Sequence, residues 1–199
     1  MKITSIVCFL LLLFISPALA ISPIDITVIK EAQEYGKINS QEDLKKFLQP
    51  WISYEEKAVH LGDTAERAYI YTTFLLMATD AKEKSLNGQV VTILDSERIL
   101  TDYTDLLSFS VVLFGDKQEF AQNASAVLTQ GKKTIKVYQG NSPAIADRVL
   151  TEEGQSLFKG QCYFYFLEKD LKLDAPVILR VTTSDQKVHS FYFDMGKIK

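Results

Sequence analysis

The stretch GQCYFYFLEKD, residues 160–170, sets a cysteine in an unbroken apolar run that closes on charge. Its aromatic content favours a strand. Side chains alternate across a strand, so Cys162, Phe164 and Phe166 share one face while Tyr163, Tyr165 and Leu167 share the other. Both faces are apolar or aromatic, the pattern expected of a central strand covered on both sides. One cover would be a second layer of strands. The other would be a helix of the same chain or a partner protein.

Moving outward, LSFSVVLFG (107–115), ASAVLTQ (124–130), TIKVY (134–138), PVILRVTT (176–183) and KVHSFYFD (187–194) also read as strands. Gln130-Gly-Lys-Lys133 has the composition of a hairpin turn, as does Ser184-Asp-Gln186. Strands joined by turns, with no long helices between them, point to an antiparallel sheet or a small β-sandwich rather than parallel α/β units.

The segment from Ser22 to Gly88 reads as helical. Ser40 and Asp43 offer a capped start for EDLKKFL, which runs into Pro50, and Trp51, Ile52 and Tyr54 open another short helical stretch. Asp63 and Glu66 have the spacing of a capping box, which predicts one long helix over 63–86 ending at Asn87-Gly88. Its centre, Tyr69 to Met77, is apolar or semi-polar all round, as in a helix surrounded by other elements. SERILTDYTDLL predicts a further helix capped by Asp95 or Ser96. The fold class expected is α+β, with a helical part (21–88) packed on an antiparallel β part (89–199), and no linker of Pro, Gly or Ser separates them.

Residues 1–20, MKITSIVCFLLLLFISPALA, carry one early charge at Lys2, an apolar run and a small-x-small ending at Ala20. They read as a secretory signal peptide cleaved near Ala20, since the apolar run is shorter than the roughly 20 residues of a spanning helix. The mature chain is then secreted or periplasmic, with no membrane span. Cys8 leaves with the leader, so Cys162 has no partner for an intramolecular disulfide. The formal net charge of -3 and the scatter of lysines leave no nucleic-acid footprint.

A thiol reacts when it is exposed and its pKa is lowered by a cation, an imidazole or a helix N-terminus. Cys162 has only Gln161 and aromatics as chain neighbours, and a buried structural role is expected. A hydrolase using Cys162 with His189 is the enzymatic alternative, because His189 shares a strand face with Phe191 and Phe193. His60 sits in a polar loop approach. The histidines and the mature cysteine are too scattered for zinc, and Asp102 with Asp105, Glu152 with Glu153, and Asp170 with Asp174 read as solvated charge. SLFK (156–159) and SDQK (184–187) match a Ser-x-x-Lys spacing that has chemical meaning only on a helix, and neither is placed on one. Asn123-Ala-Ser125 matches the glycosylation sequon. No cofactor fingerprint occurs.

What remains is aromatic surface. Tyr163, Tyr165 and Tyr192, with Tyr103 and Tyr138, offer large contact area with polar tips suited to a protein or carbohydrate partner. The sequence thus points to an exported, non-catalytic binding protein of the cell envelope or medium. A structural subunit that completes its sheet with a partner's strand is a further alternative.

Overall fold

The structure, a computed structural model, describes residues 25–151 and 154–199; the leader and the Glu152/Glu153 pair fall outside them. Helix α1 (Ile26–Ile38) starts at Asp25, whose carboxylate accepts the Thr27 and Val28 N–H groups. The short α2 (Leu44–Phe47) starts later than expected and is capped by Asp43 itself rather than by Ser40, and a 3₁₀ turn carries Gln49–Trp51. Helix α3 (Thr73–Leu86) ends at Asn87 with Gly88 at φ +66°, the left-handed closure expected there. Helix α4 (Ile93–Tyr103) starts earlier than expected, at Thr92, and Asp95 is the second member of its capping box rather than the cap.

The helices are held closely. A Cβ on Gly36 of α1 would lie 2.2 Å from the Ala78 carbonyl oxygen of α3, so only glycine permits this approach. Gln33 donates from Nε2 to the Thr92 carbonyl and to Ser96 Oγ, both at 2.9 Å, tying α1 to α4. The buried Lys82 ammonium of α3 donates to the carbonyls of Asn39, Ser40 and Glu42 at the end of α1 and lies 5.1 Å from the Phe47 ring centroid.

The long helix expected over 63–86 is two elements. Strand β2 (Arg67–Tyr71) precedes α3, and Thr72 is the true cap, accepting the Leu75 N–H at 3.2 Å. The capping-box spacing misled because both residues are engaged elsewhere. Asp63 pairs with Lys45 at 3.0 Å, while Glu66 accepts from the Phe114 N–H and from His189. The stretch after Trp51 is strand β1 (Ile52–Tyr54), not helix, and it pairs with β2. Among the described residues, 25–88 supply the strands β1 and β2 as well as the helices α1, α2 and α3.

Two antiparallel sheets follow. The first runs β1-β2-β3-β8-β6, with β3 (Leu106–Gly115), β8 (Ser156–Leu167), β6 (Gln139–Asn141) and β7 (Asp147–Leu150) beside β8. The second runs β10-β9-β4-β5, with β10 (Val188–Phe193), β9 (Val177–Thr182), β4 (Ser125–Gln130) and β5 (Lys133–Lys136). All six expected strands form. The short, polar β6 and β7 carried no strand signal.

Their inner faces make a common core. Ala68 and Ile70 of β2, Phe109 and Val111 of β3, and Cys162 and Phe164 of β8 are buried side by side in the pairing register. Phe109 meets Phe166 at 5.7 Å and Phe193 of the second sheet at 5.3 Å, both in edge-to-face geometry. The sandwich thus covers one face of the Cys162 strand, as expected. The helix expected over its other face is not there: Tyr163 remains 40% exposed. The helices pack on one another and join the core near β2 through Phe47, Trp51, Phe74 and Leu75. The last residue binds these parts together, because the Lys199 main-chain oxygen accepts from Trp51 Nε1 at 3.1 Å and from Thr72 Oγ1 at 2.6 Å.

Candidate functional site

Strand register builds a patterned outer face on the first sheet. Tyr71, Ser108 and Tyr165 stand in one cross-strand row, continued by Gln139. Tyr69, Ser110, Tyr163 and Asn141 form the next. Arg67, Val112 and Gln161 make the third. Two serines therefore run down the middle of the face with two tyrosines on either side. Side chains opposite one another on a sheet face lie close enough to interact.

The tyrosines crowd the serines. Ser110 Oγ accepts from Gln161 Nε2 at 3.0 Å, whereas Ser108, only 7% exposed, has a buried hydroxyl with no partner among the described residues. Arg67 fixes Tyr69 by donating from Nε to its hydroxyl at 3.1 Å, and is itself anchored on the carbonyls of Asp63 and Ala65. Burial raises the Tyr71 hydroxyl above the ordinary tyrosine range, with Tyr163 and Tyr69 adding to it. Tyr165 is raised by burial and then by Tyr103 and Tyr163. Tyr69 is buried beneath this face, Tyr71 and Tyr165 are half-buried, and Tyr163 is its exposed member.

The sequence-based candidates fall in different places. Tyr163 and Tyr165 belong to this face. Tyr192, 49% exposed on β10, points out of the second sheet, and Tyr138 is exposed on the connection between β5 and β6. Tyr69 and Tyr71 were missed because their segment read as helix. Their signal was the alternation in Arg-Ala-Tyr-Ile-Tyr, where small or aliphatic residues alternate with larger amphipathic ones.

Cys162 is fully buried, and burial pushes its thiol up to about 12, so it stays protonated at neutral pH. His189 is also inside the sandwich, but its ring serves other partners. Nδ1 donates to Glu66 Oε2 at 2.6 Å, and Nε2 lies 3.4 Å from Thr183 Oγ1. The Thr183 hydroxyl in turn donates to Asp185 Oδ1 at 2.5 Å. The order carboxylate, imidazole, hydroxyl resembles the acid-base-nucleophile order of acyl-transfer enzymes. Here Thr183 is buried and its proton is directed at Asp185, which makes this series of contacts a latch between sheets: Glu66, just before β2, and Phe114 of β3 stand on one side, His189 of β10 and Thr183, just after β9, on the other.

Other candidate groups are solvated or structural. His60 is exposed. Ser156 Oγ accepts from Arg148 Nε at 2.7 Å on strand β8, and Ser184 donates to the carbonyls of Glu119 and Phe120. Asn123 is exposed at a turn with φ +56°. Among the described residues no three His, Cys, Asp or Glu side chains converge as a metal site. No helix of the described residues is long and apolar enough to cross a membrane. The free edge of the second sheet, β5, carries Lys133 and Lys136, charges that discourage strand addition there.

No protein-family model and no curated protein matches the chain. Partial likenesses to solved structures include the IgNAR antibody domain C1, at 11% identity and TM-score 0.28, over 45% of this chain and 76% of that one. The archaellum periplasmic stator protein FlaG from Sulfolobus acidocaldarius is matched at 14% identity and TM-score 0.29, over 45% of this chain and 87% of that one. A chain of the stator complex of FlaF and FlaG from the same organism is matched at 16% identity and TM-score 0.30, over 46% and 79%. Likenesses this distant carry no argument about function.

Proposed function

We propose that the chain is an exported, non-catalytic binding protein that engages a macromolecular partner through the outer face of its first sheet. The observation that supports this most is the pair of adjacent rows Tyr71-Ser108-Tyr165 and Tyr69-Ser110-Tyr163. Tyrosine supplies broad contact area at low entropic cost, and its hydroxyl satisfies polar groups of a partner. The export part of the reading rests on the leader-like residues 1–20 alone.

The test is a binding screen of the full chain against arrayed polysaccharides and peptides, run beside the double variant Tyr163→Ser, Tyr165→Ser. The expected result is binding by the native chain that the double variant loses while keeping its melting temperature. Equal binding by both proteins moves the site elsewhere on the molecule.

A further inference from the structure

We infer that the free edge of the first sheet at β6 takes an extended, uncharged peptide of a partner protein as a further strand. The inference goes beyond the tyrosine face, since an edge reads main chain rather than ring surface. An edge strand presents unpaired N–H and C=O groups, and folded chains usually cover them or guard them with charge.

The edges of this molecule are treated unequally. Strand β10 is covered by the chain leaving β1, where Glu55 bridges to Phe191 and the Glu56 N–H donates to the Ser190 carbonyl at 3.0 Å. Strand β1 is half-buried and shares a groove with Lys45 and Lys46, the charged side chains of α2. Strand β5 carries Lys133 and Lys136, and β7 carries Asp147 and Arg148. Strand β6 has neither cover nor charge: Gln139, Gly140 and Asn141 are all exposed, and among the described residues their main chain pairs with β8 alone.

A row of main-chain donors and acceptors at strand spacing is matched by another extended chain, whereas a helix satisfies its own groups internally. Gln139 and Asn141 stand in the rows of Tyr165 and Tyr163, so alternate residues of the added strand would continue those rows. Opposite two uncharged amides, threonine or another uncharged β-branched residue fits. Strand β6 is short, and its few main-chain bonds alone would hold a peptide weakly. Tyr138, just before it, and Ile145, shortly after it, are both exposed and offer apolar contacts to the ends of the peptide. An uncharged segment that alternates threonine with apolar residues is therefore the class of partner that suits this edge.

The probe is a fluorescently labelled peptide, Thr-Val-Thr-Phe-Thr-Val-Thr with both ends blocked, titrated with the full chain and read by anisotropy. Saturable binding is expected. Two further probes carry N-methyl groups on opposite sets of alternate amides, and the one whose methyls face β6 should bind about tenfold more weakly while the other keeps its binding. Both keep every side chain and meet the native protein, so loss of fold cannot imitate the result. Gln139→Lys combined with Asn141→Lys copies the guard on β5 and should also weaken binding about tenfold at an unchanged melting temperature. Tyr163→Ser combined with Tyr165→Ser should leave it within about threefold, which separates this edge from the tyrosine face: either reading can fail while the other stands. No saturable binding of the first probe, or equal binding of all three probes, would overturn the inference. So would a dimer of the chain alone that the two lysine substitutions make monomeric, because the edge would then belong to a second copy.

Discussion

The two faces of strand β8 are made of nearly the same material and meet different fates. Cys162, Phe164 and Phe166 are buried against the second sheet, while Tyr163 and Tyr165, one residue out of phase, look outward. The distinction lies in the hydroxyl. A phenylalanine in this register has nothing to gain from water, whereas a tyrosine can bury its ring edge and keep its polar tip accessible. Alternation of Phe with Tyr is therefore a one-sided signal that counts of apolar residues hide.

The largest test of this contrast removes a strand from it. A fragment from Gln89 to Lys199 loses β1 and β2, which stripes Ala68 and Ile70 from the inner face and leaves β3 as an open edge. Open edges and uncovered apolar faces associate. We expect that fragment to be aggregated or unfolded by light scattering and circular dichroism. A monomer with a sharp melting transition would mean the β part folds without the N-terminal strands.

Next in size is truncation on the inner face. Phe164→Ala should lower stability by about 3 to 5 kcal/mol, because the ring is fully buried and its removal leaves a cavity. Chemical denaturation of the full chain measures it. A loss under about 1 kcal/mol would place Phe164 outside the close-packed core.

Much of this contrast was legible in the sequence, and the exceptions share a cause. Period-two patterning marked β3, β4, β5, β8, β9 and β10, and Asn87-Gly88 marked the end of α3. Arg67–Tyr71 was hidden because Asp63 and Glu66 stand at helix-cap spacing, and the partner that claims Glu66, His189, is 123 residues away. Long-range use of a polar side chain has no local signature. The same holds for the tyrosine face. Tyr163 and Tyr165 could be named from their own strand, but only register sets Tyr69 and Tyr71 across Ser108 and Ser110 from them.

The smallest effect is expected on the outer face. Tyr163→Ala should change stability by about 0.5 kcal/mol or less, the range of surface substitutions away from special features. A loss comparable to that of Phe164→Ala would show that Tyr163 is part of a covered layer.

Hydroxyl-radical footprinting of the full chain, read residue by residue by mass spectrometry, tests the central claim most directly. Tyr163, at 40% exposure, should be oxidised at a rate comparable to Tyr192, while Cys162, Phe164 and Phe166 on the same strand stay protected. Protection of Tyr163 equal to that of Phe164 would mean that both faces of β8 are covered, and the open tyrosine face on which the proposed binding function rests would not exist.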